Sequence, residues 1–333
     1  MQYLKQSYTA QCTLLCSLLL VLAWVSLFAW SAVPVTPTDA LMALINMDDD
    51  KISHHIVWDI RVPRLLTGIL VGASLATAGA IMQALTQNPL ASPSVLGVKA
   101  GAALGMATVS TITPWLGLFS TSAAAMVGGG VAWLLVMLLG SAWKGGGEHG
   151  RLVLAGVAIS ALCAALTKAM VILAEDQASA VMAWLAGSLA GASWDVFYTL
   201  LPVTIISLFF AVLISPILNL FQLGEDNAQN LGVSLLWTKL GSSVLVLLLV
   251  GGSLAAVGSM GFIGLLIPHI ARMLSGYDHR KFMPIAMLLG ACLIIASDII
   301  SRSIIFPIET PAGALLALFG APFFIYLVRK RTL

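Results

Sequence analysis

One lysine lies deep inside an apolar segment, where a charged side chain is unfavourable. Lys168 occurs in the stretch LCAALTKAMVILAED, about two helical turns before Glu175 and Asp176. An ammonium group at membrane depth is tolerated when it faces a cavity or a partner. Two interpretations follow. Either Lys168 extends toward the two acids at the end of its segment, or it lies on a path through the membrane.

Three arginines lie beside the outer ends of apolar segments, where positive charge is scarce. Arg61 and Arg64 belong to the stretch DIRVPRLL, and Arg302 follows Asp298 by about one helical turn. Interfacial extension or a pair with Asp59 would account for the first two arginines, and an i,i+4 pair with Asp298 for the third. The planar guanidinium group also binds carboxylates bidentately.

The stretch FQLGEDNAQNLG, residues 221–232, is polar in a chain that is otherwise apolar. Apolar residues recur in it at helical spacing: Leu220, Leu223, Ala228 and Leu231. Glu225 and Asp226 stand in the first turn, where the helix dipole favours acids, and Gly232 follows the last apolar residue as a C-cap does. The pattern predicts a short amphipathic helix, which is either a solvated connection or a surface held by a cytoplasmic partner.

The composition excludes a soluble domain. Of the 333 residues, 59% are hydrophobic and only 9% are charged, against roughly a quarter charged in soluble proteins. Apolar runs near the ~20 residues of a spanning helix predict an all-α, polytopic membrane protein, with residues 1–333 as a single domain. We expect about ten spans. They lie near 13–32, 65–85, 95–112, 119–140, 152–174, 194–214, 237–258, 262–275, 284–305 and 312–328, with a half-helix at 178–193.

The charges predict the orientation of these spans, because Lys and Arg mark cytoplasmic loops. On one side fall Lys5, the loop Lys144 to Arg151, Lys239, Arg280, Lys281, Arg329, Lys330 and Arg331. On the other side fall Asp39, Asp48, Asp49, Asp50, Asp59, Glu175, Asp176 and Glu309. Both termini and residues 215–236 are therefore expected in the cytoplasm. The first apolar segment is interpreted as a span rather than a cleaved signal peptide, since its apolar run is long and further spans follow.

Enzyme chemistry has little basis in the sequence. It has no GxxxxGK[ST] phosphate loop, no HExxH zinc motif and no Ser–His–acid spacing. The four cysteines form no CxxC pair, so neither a disulfide framework nor a metal site is expected, and no cofactor is implied. Small residues at four-residue spacing predict close helix packing: Gly68, Gly72, Ala76 and Ala80. Lys99 is interpreted as interfacial, near a cytoplasmic boundary, and His269 as a packed histidine near the inner surface.

FQLGEDNAQNLGV resembles the L-x-L-G-E-x-x-A-x-x-L-G coupling segment of the iron-siderophore and vitamin B12 permeases. These are membrane subunits of type II ATP-binding-cassette importers. The resemblance continues in family order along nearly the whole chain. It is carried by RVPR (61–64), GASLATAGAIMQALTQNPLASPSVLG (72–97), LAGVAISAL (154–162), GFIGLLIPHIAR (261–272), ASDIISR (296–302) and PAGALLALFGAPFF (311–324). It is nearest to the ferric dicitrate branch, through NPLASPSVLGVKAGAALGMA (88–107), GGGVAWLLVM (128–137) and LAED (173–176).

The resemblance implies a permease subunit that carries a ferric chelate across the inner membrane. Expected partners are a second permease, more readily a paralogue than a second copy, two ATPase subunits and a periplasmic binding protein. Nucleic acid is not expected as a partner. The implied ATPase-coupling residues are Gly224, Glu225, Ala228, Leu231 and Gly232. Arg61, Arg64 and Arg302 would dock the binding protein, and Lys168 would attract an anionic chelate on the path.

Three other functions stay open from the sequence. A vitamin B12 or heme permease of the same fold would differ only in substrate. An ion-driven secondary transporter would work without an ATPase, and the polar segment 221–232 argues against it. An intramembrane enzyme would need paired acids or a Ser/His site at membrane depth, which Lys168, Asp298 and Arg302 do not form.

Overall fold

A computed structural model describes residues 7–112, 117–140 and 149–331 of the chain. The described part is helical, and its only β pairing is an isolated bridge between Ile305 and Ile308. The α-helices are α1 (Tyr8–Phe28), α2 (Pro37–Ile45), α3 (Ile52–His55), α4 (Val62–Leu85), α5 (Val98–Ile112), α6 (Gly117–Leu139), α7 (His149–Leu173), α8 (Glu175–Ala186), α9 (Trp194–Leu213), α10 (Ser215–Phe221), α11 (Glu225–Asn230), α12 (Leu235–Val257), α13 (Ile263–Ser275), α14 (His279–Ile304) and α15 (Ala312–Arg331). The all-α prediction is confirmed.

Ten of these helices coincide with the predicted spans. Seven described helices are long and apolar enough to cross a membrane: α1, α4, α6, α7, α9, α12 and α14. The apolar helices α5, α13 and α15 contribute shorter segments. The predicted half-helix at 178–193 differs from the structure: α8 is helical only to Ala186, and residues 187–193 are not helical. Gly187 ends the helix with φ +70°, a conformation that favours glycine.

Helix α4 is the central element, with 83% of its apolar window buried. Its glycines allow neighbouring backbones to approach closely, as the small-residue spacing predicts. A Cβ on Gly72 would lie 2.3 Å from the carbonyl oxygen of Gly290 in α14. A Cβ on Gly79 would lie only 1.9 Å from that of Gly264 in α13. The four-residue spacing did not include this second contact, which fixes α13 against α4.

The ends of three helices, α8, α12 and α15, meet inside the bundle and satisfy one another's backbone groups. The amide of Ser259, after α12, donates to Trp184 in α8 (3.0 Å), and the amide of Gly313 in α15 donates to Gly187 (3.0 Å). The 13 residues of α13 span about 20 Å, less than the ~30 Å hydrocarbon core. Nζ of Lys99 lies beside the loop between α12 and α13, 3.9 Å from where a Cβ on Gly261 would stand. The interfacial location of Lys99 stays a prediction.

The 24 residues of α4 separate two polar ends of the bundle by about 36 Å. Arg64 lies in the first turn of α4. Gln87, just beyond its last turn, donates to the carbonyl of Phe221 at the end of α10 (2.9 Å). We call these the arginine end and the coupling end. Lys239 lies at the coupling end and Glu309 at the arginine end, which agrees with the predicted separation of charge.

Candidate functional site

The polar stretch forms a short helix bounded by two glycines. Helix α11 covers six residues, and Gly224 before it has φ +100°. Gly232 after it has φ +87°, and its amide donates to the carbonyl of Gln229 (2.9 Å). Both conformations are left-handed and strongly favour glycine. The predicted role of Gly232 in ending the helix is therefore confirmed.

The apolar residues of this segment divide between the interior and the surface. Ala228 is fully buried against the bundle. Leu223 and Leu231 are 57% and 61% exposed. The segment thus holds to the protein through Ala228 and presents two leucines outward. Trp237, at the start of α12, is also exposed.

Glu225 points toward its own chain rather than outward. Its carboxylate lies 2.7 Å from Nζ of Lys239 in α12, and its side chain is 12% exposed. This ion pair joins α11 to α12. Sequence reasoning identified Glu225 but not Lys239 as its partner, because the two residues are 14 positions apart and lie on different elements.

Helix α10 is tied by hydrogen bonds to the turn between α13 and α14. The side-chain amide of Asn219 donates to Asp278 (2.8 Å), and its oxygen accepts from the backbone amide of His279 (2.8 Å). Gln222 donates to the carbonyl of Tyr277 (3.2 Å). The Asn219 hydrogen bond, with that from the Arg280 backbone amide, holds the pKa of Asp278 below its usual value.

These contacts make the coupling end a junction of three spans. Gln87 connects it to α4, Lys239 to α12, and Asn219 to α14. Asn219, Gln222 and Gln87 were missed by the sequence analysis. The available signal was the pair Asn219 and Gln222, two amides three residues apart in an apolar run.

The arginine end holds a buried ionic cluster. We call Arg61, Arg64, Asp298, Arg302 and Glu309 the arginine cluster. Nε and Nη2 of Arg64 donate to Asp298 (3.0 and 2.8 Å), and Nη1 lies 2.8 Å from Glu309. Arg302 also pairs with Asp298 (3.2 Å) and donates to backbone carbonyls in α1 and just beyond it. The i,i+4 pair of Arg302 with Asp298 is confirmed.

The three arginines are less accessible than the sequence predicts. Arg61, Arg64 and Arg302 are 5%, 4% and 1% exposed. The alternative pair with Asp59 is wrong, because Asp59 lies 3.0 Å from His55 and Arg61 donates to the Trp30 carbonyl (3.2 Å). A partner's carboxylate would reach these guanidinium groups only after a neighbouring group moves.

Lys168 lies on the exposed side of α7. This side otherwise carries exposed apolar side chains: Leu154, Val157, Leu162, Leu166 and Ile172. The side chains of Glu175 and Asp176, to which Lys168 was expected to extend, lie outside the part of the structure that is described. Lys168 therefore faces away from its own protomer.

Comparison with known proteins gives the family. The profile of the FecCD transport family matches residues 18–330. The Fe(3+) dicitrate transport system permease protein FecC of Escherichia coli (strain K12) is 44% identical over 314 residues, 94% of this chain and 95% of FecC. The hemin transport system permease protein HmuU of Yersinia pestis is 38% identical over 293 residues, 86% of this chain and 87% of HmuU.

A solved structure shares the fold. It is an inward-facing metal-chelate type ABC transporter with a TM-score of 0.85 and 30% identity, covering 97% of this chain and 99% of the other. The chain is therefore a multi-span transport permease that belongs to the FecCD transport family.

Proposed function

We propose that this chain is a permease subunit of an ATP-driven importer that moves ferric citrate from the periplasm to the cytoplasm. The observation that carries the proposal is its 44% identity, over almost the whole of both chains, to a ferric dicitrate permease. The protein would lie in the inner membrane with both termini and the coupling end in the cytoplasm. A heme or vitamin B12 permease is the alternative within the same fold. Of these two substrates, the similarity to HmuU favours heme.

The coupling end supports attachment of a separate ATPase. Leu223 and Leu231 are exposed apolar side chains on either side of α11. The preceding helix α10 is tied to α4 and α14, and α12 is tied through Lys239 to α11. Gly224 and Gly232 fix the direction of that helix, and Ala228 anchors it. Glu225 acts by positioning the helix through Lys239 rather than by touching the ATPase. Movement imposed on α11 would then reach α4, α12 and α14.

Lys168 supports a translocation path between two permease subunits. Its exposed side of α7 would face either lipid or a second permease. An ammonium group facing lipid is unfavourable at this depth, whereas one that faces a water-filled path is not. We place Lys168 on the path, where its charge attracts an anionic ferric chelate. The second subunit would be a paralogue, since FecC and FecD of Escherichia coli are separate permease proteins of the dicitrate system.

The arginine cluster supports docking of a periplasmic binding protein. It lies at the end of the bundle opposite the coupling end and carries an excess of positive charge in its described contacts. Arg61 and Arg64 would meet acidic side chains of that protein. Arg302, which is enclosed by Asp298 and by carbonyl groups, would hold Asp298 in position.

The experiment that tests this function is substrate-stimulated ATP hydrolysis. The permease, its paralogue and the ATPase are reconstituted in nanodiscs, and the binding protein is added empty or loaded with ferric citrate, hemin or vitamin B12. We expect stimulation by ferric citrate alone. Stimulation by hemin alone would mean that the substrate is heme and not ferric citrate. No requirement for the ATPase in transport would favour an ion-driven transporter.

A further inference from the structure

The arginine cluster contains more positive than negative charge. Among the described residues, Arg64 and Arg302 share the two carboxylates, Asp298 and Glu309. The third arginine, Arg61, forms an ion pair with neither of them and donates one hydrogen bond, to the carbonyl of Trp30. Arg61 interacts electrostatically with the other four members of the cluster. Its Nε and Nη1 are buried and have no hydrogen-bond partner in the described part of the chain. A buried guanidinium group with two unfilled donors is unfavourable, so the cluster is one carboxylate short.

The two carboxylates on Arg64 are not equivalent. Asp298 binds the Nε and Nη2 edge, is shared with Arg302, and has a side chain only 2% exposed. Glu309 binds Nη1, and its side chain is 34% exposed. Partial exposure weakens an ion pair, because water screens it and can replace either partner. Asp298 is thus the fixed anchor, and Glu309 is the carboxylate that can exchange.

The loop that carries Glu309 is anchored on one side of it, at Thr310, whose backbone amide and Oγ1 donate to the carbonyl of Ser301 (3.2 and 2.7 Å). Residues 305–311 join α14 to α15, and Ile305, Phe306 and Ile308 are 53%, 49% and 68% exposed. Phe306 touches the equally exposed Trp30, with ring centroids 6.2 Å apart. Release of Glu309 from Arg64 would therefore free residues 305–309, while Thr310 keeps the end of the loop on α14 and the packed core stays closed.

We propose that Glu309 is a built-in occupant of a carboxylate site on Arg64, which an acidic side chain of the docking protein displaces. This inference rests on the proposed docking of a binding protein at the arginine end. The incoming carboxylate takes Nη1 of Arg64 and the unfilled donors of Arg61. Residues 305–309 then leave their resting position, so docking is sensed by the permease at this loop.

The test is the affinity of the binding protein of the same transport system for the permease complex in nanodiscs. Affinity is measured by biolayer interferometry at low salt, where surface ion pairs are least screened. Glu309→Gln removes the competing charge, and we expect binding about two- to fivefold tighter, the range for release of a partly exposed ion pair. The matched control is Asp59→Asn. It also removes one negative charge from the arginine end, but Asp59 pairs with His55 and not with the arginine cluster. We expect it to leave affinity unchanged.

Each other outcome has a distinct meaning. If the wild-type complex does not bind the protein, both the docking proposal and this inference fail. If the wild type binds and Glu309→Gln binds equally or more weakly, docking stands and the displacement of Glu309 is refuted. Equal tightening by Asp59→Asn would attribute the effect to overall charge and overturn the inference. Faster ferric citrate uptake at unchanged affinity would assign the site to the carboxylates of the chelate instead.

Discussion

Replacing Asn219 with alanine tests whether the coupling end transmits movement to α14. The substitution removes hydrogen bonds of 2.8 Å to the Asp278 carboxylate and from the His279 backbone amide, together with a 2.9 Å contact between Asn219 Oδ1 and Nδ1 of His279. The magnitude rests on the first two. Each contributes about 1 kcal/mol net, since one is exposed and the other only partly buried. The loss of about 2 kcal/mol corresponds to a roughly thirtyfold larger population in which α10 is detached from the α13–α14 turn.

The assay is the amount of ferric citrate taken up for each ATP hydrolysed, in proteoliposomes that contain the complete importer. We expect this ratio to fall for Asn219→Ala. The fall is at most roughly thirtyfold, because the detached population grows by that factor. ATP hydrolysis itself should continue, because the ATPase is unchanged. The thermal midpoint of the complex should shift little, because the contact is local.

The matched control is Asn230→Ala in the same segment. Asn230 is exposed at the end of α11, and among the described residues its side chain takes part in none of these contacts. It should leave the uptake ratio at the wild-type value. A wild-type ratio in Asn219→Ala, with an intact complex, would refute the transmission of movement through this contact.

Three further predictions address separate parts of the protein. Gly232→Pro should abolish substrate-stimulated ATP hydrolysis while membrane insertion is retained, since proline cannot adopt φ +87°; normal stimulation would sink the coupling assignment. Lys168→Ala should lower uptake of an anionic chelate more than that of a neutral one, and equal loss for both would indicate a structural role. Gly79→Ala should destabilise the protein by about 1–3 kcal/mol in thermal unfolding, because its Cβ meets Gly264. Gly241→Ala, in open space within α12, should not, and equal effects would argue against the close contact.

The spans could be predicted because hydrophobic length is a local property of the sequence. Every predicted span has a helix, and the glycine-bounded coupling segment was recognisable from its own spacing. The boundary of α8 was harder, because residues 187–193 leave the helix to bond with α12 and α15. Such exchange of backbone partners depends on distant segments.

The local pair of Arg302 with Asp298 was predictable from its i,i+4 spacing, but the long-range partners of the charged residues were not. Glu309 lies 245 positions from Arg64 in the chain, and no local pattern connects them. The sequence identified Arg64 as a carboxylate binder, which is correct chemistry, but the carboxylates it binds in this structure belong to its own chain. The proximity of Lys99 to Gly261 could not be predicted either, because it joins α5 to a loop far along the chain.

The central claim is that this chain carries ferric citrate with energy from a separate ATPase. The most direct measurement is uptake of radiolabelled ferric citrate into proteoliposomes that contain the importer and enclosed ATP. Unlabelled hemin, vitamin B12 and catecholate and hydroxamate ferric siderophores serve as competitors. We predict uptake that requires ATP and is reduced only by unlabelled ferric citrate. Uptake of another substrate with ferric citrate ignored, or uptake without ATP, would contradict the account.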